Sequence, residues 1–136
     1  ARFGFVFPQV GLCGADMGSA WLLPRVVGLG HASELLFTGD IIGAERAEKI
    51  GLANHVVPKA SLLESAGELA RRLARGPAFG NAMTKKMIED EATLDLAQAI
   101  EAEAQAQAIC MQHPDFREAF EAWSEKRAPR FEGLDA

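Results

Sequence analysis

At 136 residues, 49% apolar and 24% charged, the chain has the composition of an ordinary globular domain and the length for one hydrophobic core. A net charge of −5, with no Lys/Arg cluster longer than two residues, excludes a nucleic-acid surface. No apolar run approaches the ~20 residues of a membrane span. Cys13 and Cys110 match no metal or redox spacing, so they read as buried thiols in a reducing, cytoplasmic setting. The chain opens without Met and inside a patterned segment, which reads as a fragment or a processed product.

Phe3, Phe5 and Phe7 alternate with Gly4 and Val6, predicting a strand over 2–7 that has no hairpin partner nearby. After Pro8 and Gly11, the small-residue turn Cys13-Gly14-Ala15-Asp16 leads into a helix from about Met17 to Val27, with Asp16 as a candidate N-cap. Pro24 should bend that helix or start another, Gly28 and Gly30 should stop it, and "HASELLFTG" predicts a second helix ended by Gly39. "DII" then reads as a short strand, Ala44–Ile50 as a short helix closed by Gly51, and "NHVVP" as a further strand.

Ser61-Leu62-Leu63-Glu64 has the pattern of a capping box and opens a helix to Arg75, with Leu62, Ala66, Leu69 and Leu73 on one stripe. From Asn81 the chain reads as helical throughout. Met83, Met87 and Ile88 share a face, 97–109 is alanine-rich, and Pro114 suits the first turn of a last helix reaching about Arg127. The character changes near Gly76, dividing an α/β segment over 1–76 from a helical region over 77–136.

Asp16 has two readings. It is a plain N-cap, or it is an acid at a glycine-rich helix mouth, walled by Trp21 and Phe side chains and partly desolvated, which raises a carboxyl pKa and suits general acid/base work. Gly11, Gly14 and Gly18 would admit close backbone approach to a ligand but spell no phosphate motif. His31, His55 and His113 have no ligand spacing, so no metal is expected. "FEAWSEKRAPRF" reads either as a solvated helix end or as a lip for an anionic, phosphate-bearing ligand.

Several of these segments, in order, resemble the crotonase superfamily, the enoyl-CoA hydratase/isomerase family. "ARFGF…VGL" is similar to its strand and turn. "GSAWLLPRVVGLGHASELLFTGDIIGAERAEKIGLANHVVP" is similar to its block of Leu-Pro-Arg, Val-Gly, Thr-Gly, Ala-x-x-Ala and Gly-Leu-x-x-x-Val-Val-Pro motifs. "EAWSEKRAPRF" resembles its closing helix, with Trp123 in the usual Phe place.

The resemblance implies the back half of a superhelix of strand–strand–helix units, followed by a helical C-terminal region that builds homotrimers or hexamers. It implies acyl-CoA substrates, with coenzyme A as part of the substrate and no separate cofactor. It also implies an oxyanion hole of two backbone N–H groups that, with one catalytic glutamate, belongs to the family's front half. The second hydratase glutamate falls at Phe7, and Gln9 cannot act as a base. Family branches with an Asp shortly before the Trp/Tyr-containing helix, such as some ring-type enoyl-CoA isomerases and chlorobenzoyl-CoA dehalogenases, use that acid as base or nucleophile.

By this resemblance Asp16 is the candidate catalytic residue. Phe7, Gly14 and Trp21 would line the acyl site, and Trp123 and Lys126 would meet the CoA of a neighbouring subunit. The expectation is an enzyme at full length, with these 136 residues inactive alone. The competing reading is a non-catalytic fragment or paralogue that only binds partner subunits.

Overall fold

A computed structural model describes residues 1–131, so the last residues of the helical region expected over 77–136 lie outside the described part. By internal packing the chain forms two units, Ala1–Ala60 and a second beginning at Ser61. The division precedes the compositional change at Gly76 because the helix Leu62–Ala74 packs with the helix Ala78–Asp90.

In the first unit, β1 (Arg2–Phe3) pairs antiparallel with β2 (Ile42–Gly43), placing Arg2 opposite Gly43 and Phe3 opposite Ile42. Only two residues of the expected strand over 2–7 are strand. Its partner ends where a helix begins at Ala44, and Pro8, which has no N–H to give a ladder, sits in a 3-10 turn over Phe7–Val10. The partner missing from the local sequence is supplied from some forty residues away, by the segment read as "DII".

Helix α1 (Ser19–Thr38) continues through Pro24 and breaks its geometry at Gly28, with φ 78° and ψ 157°. Leu23, Val27, Ala32 and Leu35 recur on one face of α1 and are buried with Ile42 and Ala47. Phe3, Phe5 and Leu36 pack against that cluster. Helix α2 (Ala44–Lys49) ends in a Schellman arrangement, with Leu52 N–H on Ala47 O at 2.8 Å and Gly51 N–H on Glu48 O at 3.0 Å.

The strand expected at "NHVVP" is irregular chain. Val56 N–H donates to Glu48 Oε1 at 2.9 Å, so a side chain rather than a ladder satisfies it.

The second unit holds α3 (Leu62–Ala74), α4 (Ala78–Asp90), α5 (Leu96–Cys110) and α6 (Pro114–Ser124). The capping box expected at Ser61 does not form. Ser61 closes a 3-10 turn with φ −95° and ψ −1°, whereas a capping side chain needs an extended backbone. A reciprocal box forms instead at Asp95 and Gln98, which opens α5. His113 caps α6 and lies stacked on Phe79 at 4.7 Å between ring centroids. The stripe of Leu62, Leu69 and Leu73 on α3 is exposed, as is most of the large apolar surface of this unit.

Overall the described chain is mainly helical, and its only sheet among the described residues is the β1–β2 pair. Among them, no helix is long and apolar enough to cross a membrane, and no group of three or more His, Cys, Asp or Glu could hold a metal ion. Both cysteines are free thiols. Cys110 is half-buried, but Cys13 is exposed on the loop before α1, contrary to the expectation of two buried thiols.

Candidate active site

Four of the candidate site residues, Phe7, Gly14, Asp16 and Trp21, lie in the first unit around the entry to α1. The loop reaches α1 past a very close contact. A Cβ on Gly14 would stand 2.0 Å from Leu36 O, so the backbones meet where only glycine fits. Gln9 Nε2 donates to Gly39 O at 2.8 Å, tying the 3-10 turn that carries Phe7 to the far end of the same helix.

The N-cap of α1 is Gly18, not Asp16, and no side chain caps the helix. Asp16 instead begins a reverse turn closed by Ser19 N–H on Asp16 O at 2.9 Å. Its two central residues, Met17 and Gly18, have φ of 49° and 82°, the positive angles of a type I′ turn. The strain of a non-glycine residue in that region, about 1–3 kcal/mol, persists only where surrounding bonds hold it.

Those bonds are present. Ser19 Oγ accepts from Asp16 N–H at 3.1 Å and donates to Gly14 O at 3.1 Å, and Met17 N–H donates to Asp16 Oδ1 at 2.9 Å. The turn therefore presents an exposed carboxylate in a fixed direction. The expected apolar wall is not built by these residues. Asp16 is exposed, Phe7 is half-buried, and Trp21 is 47% exposed.

Trp21 is contacted by Arg25 from the next turn of the same helix. The guanidinium carbon lies 3.7 Å from the indole centroid, and Nη1 donates to Trp21 O at 2.8 Å.

The remaining two candidates, Trp123 and Lys126, belong to the end of α6 in the second unit. Trp123 is 78% exposed and its ring lies 6.4 Å from that of Phe120. Lys126 occupies the left-handed position, φ 56°, of a second Schellman ending, where Arg127 N–H reaches Ala122 O at 3.0 Å and Lys126 N–H reaches Trp123 O at 3.2 Å.

Glu118 anchors the chain beyond. It takes Arg127 Nη1 at 2.5 Å, Arg127 Nη2 at 3.0 Å and Arg130 N–H at 2.7 Å. The Arg127 hydrogen bond first, then the Arg130 N–H, hold the Glu118 carboxyl down from its ordinary 4.5 to about 2, and hydrogen bonds to Glu118 first and then Glu125 raise Arg127.

A carboxyl with a lowered folded pKa stabilises the fold fully above its unfolded pKa and loses that contribution as pH falls through the folded value. The anchoring of residues 127–130 is therefore expected to persist at pH 3.5 and to fail as pH approaches 2. A carbon-13 titration of the Glu118 carboxyl should show a midpoint near 2, and a midpoint near 4.5 would refute the anchor.

The second unit also contains a cleft of about 790 Å³ between α4, α5 and α6, lined by Met83, Met87, Ile88, Ile100 and Phe116 among others. None of the six candidate residues lines it. Glu91 contributes one buried carboxylate oxygen with no hydrogen-bond partner.

Sequence reasoning missed Ser19 and Glu118. Ser19 could have been found from the Asp-x-x-Ser spacing, which is a turn signature as well as a capping one.

Asp16 thus stands on a tight turn before a kinked helix, with Trp21 in the first turn of that helix. Comparison with known proteins defines the class. Residues 1–134 match the family model described as enoyl-CoA hydratase/isomerase, and the chain belongs to that family.

It is 36% identical over 133 residues to the 1,2-epoxyphenylacetyl-CoA isomerase of Escherichia coli (strain K12), covering 98% of this chain and 50% of that protein. It is 35% identical over 132 residues to the crotonyl-CoA hydratase of Syntrophomonas wolfei subsp. wolfei, covering 96% of this chain and 50% of that one. A solved structure from Streptomyces coelicolor A3(2) superposes with TM-score 0.91 at 48% identity, over 97% of this chain and 48% of that chain. The chain thus spans about half the length of the curated relatives it matches.

Proposed function

We propose that this chain contributes to an enzyme that moves a proton next to the carbonyl of an acyl-CoA thioester, with Asp16 as the acid/base. The observation that carries the reading is the turn that holds the Asp16 carboxylate exposed and oriented, in a chain that has Phe7 where the resemblance places a hydratase glutamate.

Asp16 takes a proton from the α or γ carbon of the acyl group, and the thioester carbonyl becomes an enolate. The resemblance assigns the N–H groups that stabilise this oxyanion to the front half of the family. Return of the proton to the other carbon shifts the double bond, so one acid and an oxyanion hole suffice for isomerisation. Hydration asks in addition for a group that positions water.

Trp21, braced by Arg25, would form one side of the acyl site, with Phe7 and Gly14 near its entrance. Trp123 and Lys126 would receive the CoA of a neighbouring subunit, in a homotrimer or hexamer in the cytoplasm. The exposed apolar residues of α3 and α6 support such an assembly.

The same exposed surface favours the second reading, a chain that only binds partner subunits. The two are separated by assaying the longest natural chain carrying this sequence with a 3-enoyl-CoA and with crotonyl-CoA, beside Asp16→Asn. Loss of turnover in the variant supports catalysis by Asp16, and unchanged turnover rejects it.

Lys126→Gly separates fold from binding in the same protein. Relief of the left-handed lysine should raise stability by about 0.5–1 kcal/mol in a thermal melt. Loss of the ammonium should weaken CoA-thioester affinity by roughly fivefold, an effect that high salt diminishes. An unchanged affinity would remove Lys126 from the site.

A further inference from the structure

We propose that Ser19 is a positioning residue for Asp16, an inference that rests on the acid/base reading above. The alternative is that the Ser19 hydroxyl merely starts the helix, and the geometry argues against it. A capping hydroxyl accepts from N–H groups further along its own helix. Ser19 is the first residue of α1, and its hydroxyl turns backwards into the loop, accepting from Asp16 N–H and donating to Gly14 O, each at 3.1 Å.

Its own N–H closes the turn on Asp16 O at 2.9 Å. Three bonds from one residue thus fix the backbone on both sides of the acid.

The burial of Ser19 fits this role. Its side chain is on the same face of α1 as the core residues Leu23 and Val27, and the residue is only 8% exposed. A hydroxyl in such a place costs stability unless both its donor and its acceptor capacity are used, and here both are used by the loop.

The division of labour is then clear. Ser19 sets the backbone direction of Asp16 while Met17 N–H, at 2.9 Å, sets the carboxylate rotamer. The positive φ of Met17, which gains nothing from packing at 91% exposure, is retained by this clasp. Proton transfer to carbon depends steeply on such alignment, since a displacement near 1 Å can cost on the order of a hundredfold in rate.

The test uses the longest natural chain carrying this sequence and whichever of a 3-enoyl-CoA or crotonyl-CoA the wild type turns over faster. Ser19→Ala is expected to lower kcat by roughly ten- to a hundredfold with KM within about twofold, because alignment and not binding is lost. Ser19→Thr, which keeps the hydroxyl, should recover most of kcat. In an Asp16→Asn background the alanine change should cost no further activity.

Wild-type kcat in Ser19→Ala overturns the positioning role. So does an equal loss in both backgrounds, which marks a purely structural hydroxyl. Wild-type kcat in Asp16→Asn overturns the acid/base reading instead. If the alanine variant does not fold, Ser19→Cys, of similar size with weaker hydrogen bonds, carries the same prediction with a smaller drop, and wild-type kcat there again overturns it.

Discussion

Asp16→Asn is expected to lower kcat on the preferred acyl-CoA by about 10²–10⁴-fold, the range over which a positioned acid/base contributes. The substitution is chemically narrow. Asparagine keeps an Oδ1 that can accept from Met17 N–H, as the carboxylate does at 2.9 Å, so the turn should persist. Asp16 is exposed, so a surface change of this kind should move stability by no more than about 0.5 kcal/mol. A large kinetic loss with an unchanged melt is therefore the signature of lost proton transfer. A small loss would leave the residue as part of a turn.

Gly14→Ala is expected to be the most damaging single substitution for the fold of the first unit. The added Cβ would lie 2.0 Å from Leu36 O and 2.9 Å from Leu36 C, and both are backbone atoms of α1 that no rotamer change can move aside. Overpacking of this kind costs on the order of 3 kcal/mol or more, because either the loop or the helix must shift. The shift would also carry away Gly14 O, the acceptor for Ser19 Oγ, and with it the clasp on Asp16. Thermal unfolding of the longest natural chain should show the loss directly, and an unchanged melting temperature would mean that Gly14 and Leu36 are not in this contact.

The helices of the second unit were legible in the sequence because their signals are local. The stripe over Leu62–Leu73, the alanine-rich run within α5 and Pro114 at the start of α6 all lie inside the element they specify. Strands depend on partners far along the chain. The Phe3-Phe5-Phe7 alternation predicted a strand longer than its two-residue partner can pair, and "NHVVP" has strand composition with no ladder to join among the described residues.

Capping was misread at Ser61 for a related reason. The four-residue pattern is correct, but the 3-10 turn before it sets a backbone in which the side chain cannot cap, whereas the Asp95–Gln98 pattern follows an extended residue and caps as it should.

The candidate site was legible in its residues and not in its geometry. Asp16 stood out as an acid among glycines, and the resemblance named its neighbours. Its place in a turn, and its hydrogen bonds with Ser19, go with positive φ at Met17 and Gly18, and nothing in the residue type of a methionine announces such a φ. The family membership came through clearly because its motifs are spread over nearly the whole chain, and residues 1–134 match the family model.

The most direct test of Asp16 as the proton carrier follows deuterium rather than turnover. With a 3-enoyl-CoA in deuterium oxide, proton NMR reports exchange at the α and γ carbons whether the enolate goes on to product or returns. The wild-type longest natural chain should exchange these protons, and Asp16→Asn should do so at least about a hundredfold more slowly. Exchange at the wild-type rate in Asp16→Asn would contradict the assignment of the acid/base to Asp16.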